Sequence, residues 1–419
     1  MISSIGSRGD VQPILALALE LRALGHEPRL CVAPNFKDWI ESFGLACIPI
    51  GPDLKKFARA SAPGKLIKPS AAQLRSLAAG TVREQFQVLT DATRGCHLIV
   101  AAGALQIAAR SIAEALEIPY VFAAYCPVTL PSPDHPPPKM GTHYPQSLPA
   151  TFNRLLWSTD RRHWNVMFRA TLNGERVKAG LAPINDVRPH IFTDRPWLAA
   201  DPLIAPGRSM DGLQIMQTGA WMLPDRTPLP DDLERFLASG EPPVYFGFGS
   251  MRATGQTARS WLEAARSLGL RSIISQGWAD FGAVDAGTDC IVIEEANHEK
   301  LFPRVAAVIH HGGAGTTTAS VRAGRAQVII PHLYDQYYWA RRVRKLGVGV
   351  AGPTRERMTA AAVAAALRKC LRPEMTARAL NLASRIELQG ARNAASRLVH
   401  EFGCCRVANN SIPLQRTPN

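Results

Sequence analysis

The sequence predicts an α/β protein of two doubly wound halves that face one another, and three observations carry the prediction. Short apolar runs alternate with amphipathic stretches, the pattern of parallel strands joined by helical crossovers. That alternation stops between residues 201 and 230, where Pro202, Pro206, Pro224, Pro228 and Pro230 fall, and then begins again. At 419 residues the chain is long enough to bury two cores. The expected division is an N-terminal half over residues 1–205, a linker over 206–230, a C-terminal half over 231–402 and a polar, frayed tail over 403–419.

In the first half, residues 2–5 read as a strand, Gly6-Ser7-Arg8-Gly9-Asp10 as a turn and residues 13–24 as a helix. Ile14, Leu15, Leu17, Ala18, Leu21 and Leu24 give that helix its apolar stripe, Pro13 suits a first turn and Gly25 ends it. Strands at 29–33, 46–50, 97–101 and 119–123 alternate with helices at 35–43, 81–94 and 104–116. From Cys126 to Thr151 prolines exclude regular structure, and a long loop in a compact domain is usually functional. Aromatic helical segments follow, with Phe152, Trp157, Trp164 and Phe168. They are either plain core or the wall of an apolar pocket.

In the second half, residues 244–248 read as a strand running into Gly249-Ser250, followed by a helix at 257–268 and strands at 271–275 and 290–293. Residues 305–309 form the next strand, which enters His310-His311-Gly312-Gly313-Ala314-Gly315-Thr316-Thr317-Thr318. A helix from 316 to 323 stops at Gly324, and a strand at 327–331 ends in His332-Leu333-Tyr334-Asp335-Gln336. Helices at 359–371 and 375–401 close the chain. A strand, a Gly/Thr-rich turn and a helix start make an anion site, because small residues admit the ligand and free N–H groups point at it. The competing reading is a tight turn alone. A P-loop fails, since no Gly-Lys-Ser/Thr follows.

Composition narrows the field. Hydrophobic residues make up 46% and charged residues 20%, ordinary for a soluble globular protein, and no apolar run reaches membrane-spanning length. The start lacks the layout of a signal peptide, and the eight scattered cysteines form no Cys-x-x-Cys pair. Reduced core thiols in a cytoplasmic protein are the expectation. The net charge of +14 is spread along the chain, with a cluster at Arg341-Arg342-Val343-Arg344-Lys345 that reads as a solvated helix face. No nucleic-acid signature accompanies it, while peripheral attraction to anionic lipid stays open.

The runs HHGGAGTTTASVRAG and VIIPHLYDQYYWARRVRKLGVGV resemble the donor-sugar signature of nucleotide-sugar-dependent glycosyltransferases, the UDP-glycosyltransferase superfamily. Within it the likeness is to the branch holding the glycopeptide-antibiotic and sterol enzymes. GSRGDVQP, PSPDHPPP, QTGAW, FGFGS and SQGW have counterparts there, so the resemblance spans nearly the whole chain. It implies a GT-B fold: two Rossmann-like domains facing across a cleft, with the last helix crossing back onto the first domain.

Sugar transfer needs a base for the acceptor, stabilisation of the leaving diphosphate and orientation of the sugar. Asp10, at the end of the first turn, is the candidate base, with the helix start expected to depress its pKa. The alternative is that Asp10 only caps the helix. Ser7 and Arg8 share its loop and are candidates for diphosphate or acceptor contacts. The resemblance places the donor diphosphate on His311, the backbone of Gly313, Ala314 and Gly315, the Thr316 hydroxyl and Ser250, with His310 as packing support. It places Asp335 and Gln336 on the sugar hydroxyls, although Asp335 also reads as a turn or N-cap. Ala296 and His298 fall near the nucleobase, and Trp278 would wall it. The plant-type ribose glutamate is Ala319 here, which leaves UDP and dTDP donors both open.

No Asp-x-Asp occurs, so no metal and no cofactor are expected. The resulting expectation is an inverting hexosyltransferase from a UDP- or dTDP-sugar to an apolar small-molecule acceptor, acting as a monomer or weak dimer without nucleic acid. The rivals are a nucleotide-sugar-binding protein and an epimerase on the same fold.

Overall fold

The structure is a computed structural model that describes residues 1–53, 70–139, 143–210, 212–247, 249, 255–277, 287–354 and 357–403. The first sheet comprises β1 (Ile2–Ser4), β2 (Arg29–Val32), β3 (Ala46–Pro49), β4 (Ile99–Ala102), β5 (Tyr120–Ala124), β6 (Trp197–Leu198) and β7 (Met216–Gln217). All are parallel, in the order β3-β2-β1-β4-β5-β6-β7. The second comprises β8 (Val244–Gly247), β9 (Ser272–Ser275), β10 (Cys290–Ile293), β11 (Ala307–His310), β12 (Gln327–Ile329) and β13 (Gly349–Ala351). Its order is β10-β9-β8-β11-β12-β13, again parallel. Runs such as Leu30-Cys31-Val32 and Val244-Tyr245-Phe246 are buried throughout, as strands covered on both faces must be.

Each sheet has one point where the strand order reverses, and ligands of such sheets bind beyond the strand C-termini there. In the first lobe that point lies between β1 and β4, with Ser4 paired to Ala102 at their ends. In the second it lies between β8 and β11, with Gly247 paired to His310. The Asp10 turn leaves β1, and the His310–Thr318 turn leaves β11. Topology alone therefore brings both predicted turns to ligand-binding edges.

Several elements depart from the sequence reading. The first helix runs Arg8–Ala23, so it starts inside the predicted turn and takes Asp10 into its first turn. Residues 206–230, read as linker, contribute β7 to the first sheet. The helix expected at 375–401 is two helices, Pro373–Ala383 and Gly390–Phe402. Gly390 shows why the second is set apart. A Cβ there would lie 2.5 Å from the carbonyl oxygen of Ala220, so the chain needs a glycine to pass the 218–221 segment. The last helix then packs on the first, with Ala391, Ala394, Ala395 and Leu398 buried in one cluster with Ile14, Leu17 and Leu21. Among the described residues no helix is long and apolar enough to cross a membrane, and the described cysteines are free thiols.

The lobes share core as well as a border. One apolar cluster contains Phe122, Cys126, Leu130 and Ala205 of the first lobe together with Ile329, Tyr338, Trp339 and Val343 of the second. The basic run on the helix Gln336–Leu346 is only in part the solvated face expected of it: Arg344 and Lys345 are exposed, while Arg341 and Arg342 reach the first lobe. Arg342 donates to the carbonyls of Ile204 (2.7 Å) and Leu203 (3.4 Å), and Arg341 to that of Asp134 (3.0 Å). Those carbonyls come from loops with no helix or ladder to satisfy them, which is a need no local pattern records.

Candidate active site

The second-lobe turn is built around two histidines with different tasks. His310 is fully buried; its Nδ1 accepts the Gly312 N–H (3.1 Å), which assigns the proton to Nε2, paired with Gln327 Oε1 at 2.8 Å. Burial pushes its pKa down to about 4, so it is the neutral support expected. Gly312 has φ 96°, and a Cβ on it would lie 2.6 Å from Ile329. A Cβ on Gly313 would lie 2.7 Å from Nε2 of His311, so the imidazole closes over a backbone that must stay bare.

The helix Ala314–Arg322 starts here with Gly313 as N-cap. Its first N–H groups have no partner within the helix and face the turn. Thr317 and Thr318 return their hydroxyls to the carbonyls of Gly313 and Ala314, both at 2.9 Å, whereas the partly exposed Thr316 does not. Gly249, in the turn after β8, lies beside His311: a Cβ there would be 3.6 Å from its Cε1. Ser250 and Trp278 lie outside the described residues. His311 keeps some exposure, yet burial, with His310 and His332 nearby, pushes its pKa down to about 3. It is therefore a neutral hydrogen-bonding group, and the helix N-terminus carries the charge offset.

The loop after β12 carries Asp335 and Gln336. Asp335 is the N-cap of the helix Gln336–Leu346, and its Oδ2 accepts Trp339 Nε1–H at 2.9 Å. Gln336 is buried, and its Oε1 accepts the N–H groups of His332 (2.7 Å) and Leu333 (3.1 Å). That oxygen shapes the loop that carries Asp335. Tyr334, just before Asp335, has φ 53°, a left-handed conformation that costs a bulky residue about 1–3 kcal/mol.

From the first lobe, Asp10 closes a capping box: Oδ2 accepts the Ser7 N–H at 2.7 Å and the Ser7 hydroxyl at 3.1 Å. A Cβ on Gly6 would fall 2.2 Å from that oxygen, so Gly6 is needed for the turn to hold it. Oδ1 faces Gly103 at the end of β4. Tyr125 donates its hydroxyl to the Asp10 carbonyl at 2.8 Å. Asp10 thus caps the helix, but the expected depression of its pKa is reversed. Burial raises it, outweighing the Ser7 hydrogen bonds. Asp335 is raised to about 7, chiefly by burial and also by the negative charge of Asp10. The two carboxylates, one from each lobe, therefore sense one another across the gap.

Arg8 extends to the other lobe as well. It pairs with Glu295 and lies over the Trp39 ring, 5.0 Å from its centroid. Beside Glu295 is partly buried Ala296, then Asn297, whose Oδ1 accepts the N–H groups of Glu299 and Lys300. His298 stacks on Phe302 (4.2 Å) and meets Tyr245 edge-on (5.8 Å). Burial, with Arg8 near, lowers its pKa to about 4. His298 is thus part of an aromatic wall at the cleft edge. Of the aromatics read as core or pocket wall, Trp157 is buried and Phe152 exposed, while Trp157 and Trp164 flank the guanidinium of Arg188. Sequence reasoning missed Tyr125 and Glu295, each of which matters through a partner far away in the chain.

Comparison with known proteins agrees with this geometry. Residues 1–132 match the glycosyltransferase family 28 N-terminal domain, and residues 292–390 match the erythromycin biosynthesis protein CIII-like C-terminal domain. Glycosyltransferase GtfE of Amycolatopsis orientalis is 42% identical over 408 residues, covering 96% of this chain and 97% of the relative. The vancomycin aglycone glucosyltransferase of the same organism is 42% identical over 407 residues, covering 95% and 96%. Among solved structures, the calicheamicin glycosyltransferase CalG4 superposes with a TM-score of 0.69 at 18% identity, covering 97% of this chain and 98% of its own. Two parallel sheets, a turn at the switch point of each, and relatives matched along nearly their full length lead to one conclusion: the chain belongs to the UDP-glycosyltransferase family and is a glycosyltransferase of the GT-B fold.

Proposed function

We propose that the protein is an inverting glycosyltransferase that moves a hexose from a UDP- or dTDP-sugar to a hydroxyl of an apolar natural-product aglycone. The observation that carries this reading is the pair Asp10 and Asp335, set on opposite lobes and close enough for one charge to raise the pKa of the other. Asp10 takes the proton of the acceptor hydroxyl as the oxygen attacks the anomeric carbon. The bond from that carbon to the diphosphate breaks, and its electron pair leaves with the nucleotide. Asp335 orients the sugar hydroxyls. The N–H groups of Ala314, Gly315 and Thr316, with the neutral His311 as a further hydrogen-bonding group, meet the charge that develops on the leaving group. No step in this reading calls for a metal or cofactor.

A raised pKa suits Asp10 to this task, because a base works best when its pKa lies near the working pH. The acceptor class follows from the relatives named for glycopeptide aglycones and from the apolar surroundings of loop 126–138. The choice of donor is supported on the dTDP side by the vinC-encoded enzyme, whose solved structure holds dTDP. A screen of UDP- and dTDP-sugars against aglycones, read by mass spectrometry, tests the reading. Wild type should give a glycosylated product of inverted anomeric configuration, and Asp10→Asn should give almost none while still binding nucleotide. Retained configuration, or full turnover by Asp10→Asn, would sink it.

A further inference from the structure

The proline-rich run that follows β5 takes no part in the chemistry above, yet the first turns of the helix Gln336–Leu346 rest on it. Tyr338 lies three residues beyond the N-cap Asp335, and Trp339 beside it donates Nε1–H to the Asp335 carboxylate at 2.9 Å. The ring of Tyr338 meets the ring of His135 edge-on, with centroids 5.6 Å apart and planes at 82°. Tyr337 stacks on His143 at 4.0 Å and 15°. One turn further on, Arg341 donates to the carbonyl of Asp134 at 3.0 Å.

His135 is held from the first-lobe side as well. It is buried, its ring meets that of Trp157 edge-on at 6.0 Å, and its carbonyl accepts Trp157 Nε1–H at 3.0 Å. Trp157 belongs to the helix Ala150–Trp164, from which Asn153 Nδ2 donates to the carbonyls of Pro133 (2.8 Å) and Leu148 (3.3 Å). Nδ1 of His135 faces the Pro136 carbonyl at 3.3 Å, while Nε2 has no hydrogen-bond partner among the described residues. Burial lowers the ring's pKa to about 4, so it is neutral and acts by shape, not by charge. Hydrogen bonds fix this wedge to one lobe, and a ring contact meets the other.

We propose that His135 is a positioning residue of the transfer reaction: wedged between Trp157 of the first lobe and Tyr338 of the second, it seats the helix Gln336–Leu346 on the acceptor lobe and so aims Asp335 at the donor sugar. The inference rests on the reading of Asp335 as the sugar-orienting group. An acceptor hydroxyl held in the first lobe reacts only when the anomeric carbon is aligned with it, whereas free water meets no such demand. Loosening the wedge therefore costs transfer more than hydrolysis.

The test uses the full chain with UDP-glucose or dTDP-glucose as donor and the aglycones screened above, vancomycin aglycone first, as acceptor probes. Nucleotide release without acceptor is measured beside transfer. His135→Ala and Tyr338→Ala should each raise the ratio of donor hydrolysis to transfer by about 2–10-fold, the worth of one edge-on aromatic pair, and the double variant no further. His135→Phe and Tyr338→Phe keep the rings and should hold the ratio within about twofold of wild type. The Kd for UDP or dTDP alone, read by calorimetry, should not change, because the cradle lies on other elements. Val363→Ala, in a separate core cluster, is the control for lost packing: it should lower the unfolding temperature and leave the ratio alone. Wild-type ratios in both alanine variants, ratios as high in the phenylalanine variants, an equal rise in Val363→Ala, or multiplying effects in the double variant overturn the inference. Asp335→Ala separates the two levels. If it transfers normally, the role of Asp335 falls and this inference with it; if it is crippled while His135→Ala keeps the wild-type ratio, only this inference falls.

Discussion

The donor cradle and the Asp10 turn are both strand-to-helix turns at a switch point, yet different lengths of chain hold them. In the cradle, His310 bonds Gly312 two residues on and Gln327 seventeen residues on, and Thr317 and Thr318 reach back four residues. The Asp10 carboxylate is held locally by Ser7, but its carbonyl is held by Tyr125, 115 residues away, and Arg8 by Glu295, 287 residues away. A cradle assembled from neighbours is complete once the second lobe folds. The acceptor-side turn is complete only when the first lobe is assembled and meets the second. Donor binding and acceptor activation should therefore respond separately to substitution.

Asp10→Asn sharpens that separation most. It should lower kcat on the order of 10²–10⁴-fold while the Kd for UDP or dTDP, read by calorimetry, stays near wild type. A Kd that rises as kcat falls would mean the two turns are one unit.

Asp335→Asn tests whether the carboxylates meet. The folded pKa of about 7 lies above the ordinary 3.8, so this group's contribution to stability is full at low pH and is lost as pH rises through 7. At pH values above that, the asparagine variant should be the more stable protein by a few kcal/mol, up to about 4. Denaturant unfolding should show the gap closing toward pH 4. Equal stability at both ends would show that burial does not raise this carboxyl, and a gap left unchanged by Asp10→Asn would break the cross-cleft pairing.

Gly313→Ala acts on the donor side alone. Its Cβ would meet His311 Nε2 at 2.7 Å, and the displaced ring should weaken donor binding by about tenfold, roughly 1.4 kcal/mol. Transfer at saturating donor should change far less.

Glu295→Gln is expected to do least. The Arg8–Glu295 pair is well exposed, so loss of the charge should alter kcat/KM by only about two- to threefold and the difference should fade in salt. A larger, salt-resistant effect would move Arg8 into the chemistry itself.

The parts of the fold legible in the sequence are those whose cause is local. The alternation of apolar runs located ten strands and missed β6, β7 and β13, and His310 to Thr316 located the cradle, because glycines and a helix start make an anion site wherever they occur. The start of the first helix was misplaced because Pro13 looks like a first-turn residue. The capping box of Ser7 and Asp10 begins the helix five residues earlier, at Arg8. The last helix was drawn too long because its break at residues 384–389 answers to Gly219 and Ala220, which no local pattern mentions.

By itself, then, the sequence determined two doubly wound sheets, the turns at their edges, and the residue types that meet a diphosphate and a hydroxyl. Tertiary structure alone decided the raised pKa values of Asp10 and Asp335, the neutrality of His311, the stitching of Arg341 and Arg342 to the first lobe, and the pairing of Arg8 with Glu295. The physical reason is common to all four. Desolvation and charge–charge coupling depend on what the rest of the chain brings within a few ångströms, whereas periodicity and turn chemistry depend only on the residues next door.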